Sequence, residues 1–315
     1  MFIRILIIAA SLGLATTRAH AAESVARWTM LNVSPKEEQA DCHLVTFPDG
    51  QQILIDAGDA GDAPGVAVKE FSALGVKRLS FILISHFHRD HYGRLLDILD
   101  TGVAVDRVIV NVPVQRVADR ELPWGCNFIH VQSVLAELRN RGIPYETPKA
   151  GDRLLEITAP DGTQGGVDVL CAFDGVNTPI GETDVNDTSI IARVFFGTNR
   201  ILFTGDLNHS LGAYLATSEI DVTANLLKVP HHGTEGVAPN EFFDRVGAKV
   251  VFVPSPKNLW FSKRSERIHT YFAGHQIPAY VSGIHGNVTV TLTPRGFSVE
   301  TERQAPDSIE NESAL

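Results

Sequence analysis

The stretch FILISHFHRDHYGRLLD, residues 81–97, decides how this chain is read. An apolar run, Phe81 to Ile84, leads directly into His86, His88, Asp90 and His91. A short apolar run bounded by polar residues reads as a strand buried on both faces. If the histidine segment were helical, residues two apart would point to nearly opposite sides, so His86 and His88 share one ion only from an extended loop. A helix beginning at Tyr92 would set Asp90 and His91 at its N-terminus, facing the same pocket. The spacing therefore suits two neighbouring metals, with His86 and His88 on one and Asp90 and His91 on the other. It differs from HExxH, which places two histidines on one helical face.

Working outward, three more strand-like runs end in ligand-type residues: ILID at Asp56, ILFTG before Asp206, and LLKVP before His231 and His232. In open α/β sheets, sites form outside the carboxyl ends of strands. Asp206 offers two oxygens and can bridge both ions. His231 is the expected further ligand of the second ion. His232, pointing elsewhere on an extended backbone, is left to hydrogen-bond a ligand or protonate a leaving group. Asp90 and His232 are thus the candidate catalytic groups. Asp56 is read either as an outer acceptor that fixes a histidine tautomer or as a cap on the turn at Ala57-Gly58. Mixed imidazole and carboxylate donors suit zinc, two ions here, with manganese or iron as the other candidates.

Strand-like runs recur along the chain, and helical periodicity is expected near 66–74, 92–99, 128–140, 210–217, 240–246 and 265–273. Hairpins such as TFPDGQQI come early, and strands alternate with helices later. The pattern predicts an α/β protein with sheet at its centre. No linker divides it, so one domain is expected over residues 22–300, followed by a disordered acidic tail, 301–315.

The start, MFIRILIIAASLGLATTRAHA, has Arg4, an apolar core and a small-x-small end, and reads as a signal peptide, 1–21, cleaved after Ala21. Its apolar core is shorter than the ~20 residues of a membrane span. The expected location is the periplasm or outside the cell, with no membrane anchor after cleavage. Formal net charge is −10, and losing Arg4 and Arg18 makes it −12, so no stable nucleic-acid partner is expected. Cys42, Cys126 and Cys171 form no CxxC pattern; they are read as one disulfide and a free thiol, or as three buried small hydrophobes.

Taken together, ADCHLVTFPDGQQILIDAG, SHFHRDHYG, NDTSIIARVFFGTNRILFTGD and LLKVPHHGT resemble the metallo-β-lactamase-fold hydrolases, over about Trp28 to Glu300. They look most like the branch holding the external hydrolase domain of competence-type DNA-uptake proteins and the phosphorylcholine esterases. The resemblance implies a four-layered αβ/βα sandwich with metals at one edge of two sheets. It also implies hydrolysis of phosphoric (di)esters through a metal-bound hydroxide, on a small-molecule or polymer-linked substrate.

The chain departs from the family in places. Many two-metal members add a histidine before the bridging Asp, but only His130 lies between His91 and Asp206, in a helix-like stretch. VNDTS, with Asn186 and Asp187, stands in that region, as Asn does in the DNA-uptake branch. The ion on His86 and His88 is then the weakly held one. The pore segments of DNA-uptake proteins are absent, so channel function does not carry over. True β-lactamases lack the bridging Asp, which speaks against β-lactam hydrolysis; carboxylic-ester, lactone or amide hydrolysis on the same metals is the alternative. A third reading is a binding protein without turnover, against which the intact ligand run argues. SPKNLWFSKRSER offers Lys263 and Arg264 as contacts for an anionic substrate, or forms an ordinary solvated loop.

Overall fold

The computed structural model describes residues 23–33, 39–61 and 65–304. The signal-peptide reading, 1–21, and the tail from residue 305 onward lie outside the described residues. Residues 301–304 are described: Thr301 ends the strand Phe297–Thr301, and the Glu302 and Arg303 amides bond to the Asn287 and His285 carbonyls.

Phe81–Ile84 is a strand with every residue buried. Its side chains alternate between two apolar environments, as strand geometry requires. Phe81 and Leu83 pack with Trp28, Phe203 and Phe252 between two sheets, while Ile82 and Ile84 pack with Phe71, Leu95 and Leu135 of the helices. Burying each such side chain stabilises the fold by about 1.5–3 kcal/mol. On the far side, Leu202, Leu227 and Val251 pack against Leu211, Phe242 and Phe272. Three apolar interfaces thus separate four layers, helix, sheet, sheet and helix.

One sheet has eight strands, in the order Phe297–Thr301, Val288–Leu292, Ala26–Met30, His43–Thr46, Gln52–Ile55, Phe81–Ile84, Val108–Val110 and Tyr145–Glu146. The other has seven, in the order Ala279–Val281, Val250–Val253, Leu226–Lys228, Asn199–Phe203, Ile191–Phe196, Gln164–Cys171 and Arg153–Thr158. Each is antiparallel on one side and parallel on the other; Gln52–Ile55 pairs parallel with Phe81–Ile84, and Asn199–Phe203 with Leu226–Lys228. The carboxyl ends of these four strands meet at one edge. The Ile190 amide bonds to the Ser85 carbonyl at 2.8 Å, stitching the sheets together there, and the Asp206 amide bonds to Ser189 Oγ at 3.0 Å within the seven-stranded sheet.

The helix expected from Tyr92 begins earlier. Arg89–Tyr92 forms one turn with His88 as N-cap, and Leu95–Asp100 a second helix. Gly93 breaks them apart: a Cβ there would lie 2.2 Å from the Ala60 amide nitrogen, so only glycine fits. Asp90 and His91 therefore sit inside the first turn. Cys42, Cys126 and Cys171 are free and buried, and burial pushes the Cys126 and Cys171 thiols up to about 12. Among the described residues no helix is long and apolar enough to cross a membrane.

Candidate metal centre

Asp56, at the end of its strand, adopts a left-handed φ of 59°. Such a conformation is strained for a side-chain-bearing residue, and here it turns the carboxylate inward. Its oxygens accept from the Ser85 amide at 2.7 Å and Ser85 Oγ at 2.8 Å. Asp56 Oδ2 is also 2.8 Å from His91 Nδ1, which places the proton on that nitrogen and leaves Nε2 bare. His232 Nδ1 lies 2.9 Å from the Pro254 carbonyl, which can only accept, so its Nε2 is bare as well.

Both bare nitrogens face carboxylates. His91 Nε2 is 3.2 Å from Asp206 Oδ2, and His232 Nε2 is 3.3 Å from both Asp206 Oδ2 and Asp90 Oδ2. Unless a proton or a cation is shared between them, these buried lone pairs face one another and repel. Donors about 2.0–2.2 Å from one tetrahedral ion stand about 3.3–3.6 Å apart. The residues present therefore fit a divalent cation. Asp41, His91, Asp206 and His232 can each offer one donor atom within 4.8 Å of the others. Asp41 is the least free of these, because Lys228 Nζ holds its Oδ2 and His43 Nε2 lies 3.2 Å from its Oδ1. Asp90, close to His232, is the better placed fourth donor.

A second clip lies beside the first. His86 Nε2 and His88 Nδ1 are 3.2 Å apart, and the His86 and His91 rings are 4.1 Å apart between centroids. Burial drives His86 well below the usual imidazole range, and His91 adds to this; burial lowers His88 too. In the first clip the opposite holds. Burial alone would lower His232, but Asp206 and Asp41 outweigh it and push it up to about 9; His91 rises likewise through Asp206 and Asp56. Protons and a cation compete for the same lone pairs, so metal affinity falls as pH drops.

Of the residues singled out in the sequence, the structure gathers His86, His88, Asp90, His91, Asp206 and His232, with Asp56 behind His91. It does not bring His231 into this group. His231 Nδ1 is 3.0 Å from Asn208 Oδ1, and its ring centre lies 6.5 Å from that of His232. Both histidines have left-handed φ, 48° and 53°, so the alternation of an extended chain does not apply. Arg264 Nε bonds both Glu235 oxygens, at 2.6 and 2.7 Å, and Lys263 is exposed; the two brace or flank the loop after His232. Trp260 and Gly233 meet beneath it.

Asp41 and Lys228 were not singled out. Lys228 is buried, donates to the Gly205 carbonyl at 2.9 Å, and stands 3.5 Å from Asp206 Oδ1. That contact leaves Asp206 Oδ2 as the oxygen turned to both histidines, where the sequence suggested two free oxygens. A lysine inside the apolar run NLLKV was the available signal, since a buried ammonium needs a paired anion.

Asp187, beside the centre, is pushed up to about 7 by burial and then by Asp184. A carboxyl with a raised folded-state pKa keeps its stability at low pH and loses it as pH climbs from the ordinary aspartate value of 3.8 to about 7. Asp187→Asn is expected to be near neutral at pH 4 and to stabilise by about 2–4 kcal/mol at pH 8. Urea unfolding at the two pH values checks this; an equal effect at both would contradict it.

The sequence matches the Metallo-beta-lactamase superfamily over residues 35–250. The chain belongs to that superfamily and is a metallo-hydrolase of it, with the sandwich described above. Among curated relatives it is 22% identical over 232 residues to ComE operon protein 3 of Bacillus subtilis, covering 71% of this chain and 26% of that protein. It is 23% identical over 216 residues to Endoribonuclease YSH1 of Saccharomyces cerevisiae, covering 64% and 25%. The chain thus spans about a quarter of either relative. The solved structure of Igni18, a metallo hydrolase from Ignicoccus hospitalis, is similar at 13% identity and a TM-score of 0.48, covering 84% of this chain and 98% of that one.

Proposed function

We propose that this chain is an exported two-metal hydrolase of phosphoric esters, with diesters as its preferred class. The carrying observation is the pair of adjoining donor clips, His86 with His88, and Asp90, His91 and His232, with Asp206 between the histidines of the second. Zinc-type ions held by these residues would supply Lewis acidity, which lowers the pKa of water from 15.7 to about 7. Asp56 and the Pro254 carbonyl orient His91 and His232. Asp90, the most exposed carboxylate of the cluster, would complete the donor set beside His232. With His232 turned inward, His231, steadied by Asn208 and kept neutral at rest by burial, is the histidine left to exchange a proton with substrate or water in this reading. The yeast relative's name, an endoribonuclease, denotes cleavage of a phosphodiester and supports the same class. Export rests on the apolar N-terminal stretch and its small-x-small end.

The expected result is turnover of a chromogenic phosphodiester that chelator abolishes and zinc restores, with a lactone and a cephalosporin left intact. His231→Ala should keep its metal and slow the phosphodiester about 10²–10⁴-fold. A metal-loaded protein that opens the lactone and spares the phosphodiester would sink the proposal in favour of carboxylic-ester, lactone or amide hydrolysis.

A further inference from the structure

Each imidazole of a metal centre has an inner nitrogen for the ion and an outer one that must be satisfied elsewhere. Three of the four histidines gathered here meet that need. The outer nitrogen of His91 has Asp56, that of His232 has the Pro254 carbonyl, and His86 Nδ1 has Ser85 Oγ at 3.1 Å. His88 does not. Its Nδ1 faces His86, so Nε2 is the outer atom; it is buried and without a hydrogen-bond partner.

Glu121 stands opposite it. The carboxylate comes from the 3-10 turn Asp119–Trp124, is largely buried, and places Oε2 3.8 Å from His88 Nε2. That is about 0.6–0.8 Å beyond a hydrogen bond, a gap that one side-chain torsion closes. The turn is well anchored. Its Glu121 carbonyl accepts from the Cys126 amide at 3.2 Å, and Gly125, at φ 99°, lies so close that a Cβ would meet Arg89 Cγ at 3.0 Å. The backbone carrying Glu121 is thereby pressed against the residue that follows His88.

On the reading that the His86–His88 clip holds an ion, we propose that Glu121 is the positioning residue for His88. It accepts the Nε2–H once the cation draws on Nδ1, which fixes the tautomer and makes His88 a stronger donor. An anionic partner behind the ring offsets, at this subsite, the absence of a third histidine. Asn186, whose Oδ1 is also buried and whose side chain hydrogen-bonds weakly to His88, is the rival acceptor.

The test titrates zinc into the full chain for wild type, Glu121→Gln, Glu121→Ala and Asn186→Ala, with a competing chelator to resolve two equivalents. Histidine ¹⁵N–¹H correlation spectra follow the His88 tautomer. The expected result is a 10–100-fold loss of affinity for the weaker zinc in Glu121→Ala, a smaller loss in the isosteric Glu121→Gln, and no change in the tighter one. The zinc-loaded wild type should show His88 protonated at Nε2, with that signal lost in Glu121→Ala, and the metal-free proteins should melt alike. Unchanged affinities in both Glu121 variants overturn the inference, as does a loss confined to Asn186→Ala or a wild type that binds a single zinc. A wild type that binds no zinc overturns the metal reading itself.

Discussion

Asp206→Asn should lower hydrolysis by about 10³-fold or more, the size of effect that follows loss of a fixed charge at the reacting centre. Its Oδ2 is the one carboxylate oxygen within 3.3 Å of both His91 Nε2 and His232 Nε2. Asparagine keeps the shape, and the backbone amide still bonds Ser189 Oγ, so the strand end survives. What disappears is the negative charge that lets two bare imidazole nitrogens and a cation share one buried space. Metal content should fall with activity while the far-ultraviolet circular dichroism stays as in wild type. A variant that keeps both its metal and its rate would remove Asp206 from the centre.

Lys228→Met should cost about 3–5 kcal/mol of folding stability, because it leaves a buried carboxylate without its counter-charge. The ammonium is held by Asp41, by the Gly205 carbonyl and by Asp206, and its own pKa is raised although burial opposes this. Asp41 depends on it in return, held well below the usual carboxylate range by Lys228 and then His232 against the cost of burial. Removing both charges in Asp41→Asn/Lys228→Met should recover much of the loss, since a buried pair replaced as a unit is often tolerated. Urea unfolding of the two variants measures the difference. If the double variant were no more stable than Lys228→Met, the pair would not be the cause.

The parts of this molecule that were legible in sequence are those governed by short-range periodicity. FILI reads as a buried strand because both its neighbouring layers demand apolar side chains. The helices at 128–140 and 240–246 follow from a 3.6-residue apolar stripe. Edge strands such as Arg153–Thr158 and Phe297–Thr301 carry a weak pattern, because part of each faces solvent. In the centre, the His86–His91 cluster and Asp206 were visible as strand-end residues. His231 and His232 were assigned on the premise of extended backbone, and two successive left-handed residues leave no trace in residue type. Asp41 joins the group through backbone bonds, its amide to the Asp90 carbonyl and its carbonyl to the Gly58 amide, which no spacing rule predicts. Glu121 arrives from a turn far along the chain for the same reason.

The two donor-bearing edges belong to different sheets: His86, His88 and His91 follow a strand of the eight-stranded sheet, and Asp206 and His232 follow strands of the seven-stranded one. An ion held between them would act as a cross-link between the two sheets, much as a disulfide would in a smaller protein. At a free concentration 1,000 times its dissociation constant, a ligand that binds only the folded state adds about 4 kcal/mol to stability. Catalysis and the cohesion of the two half-sandwiches then draw on the same bonds, so a chelator would loosen the seam as well as silence the site.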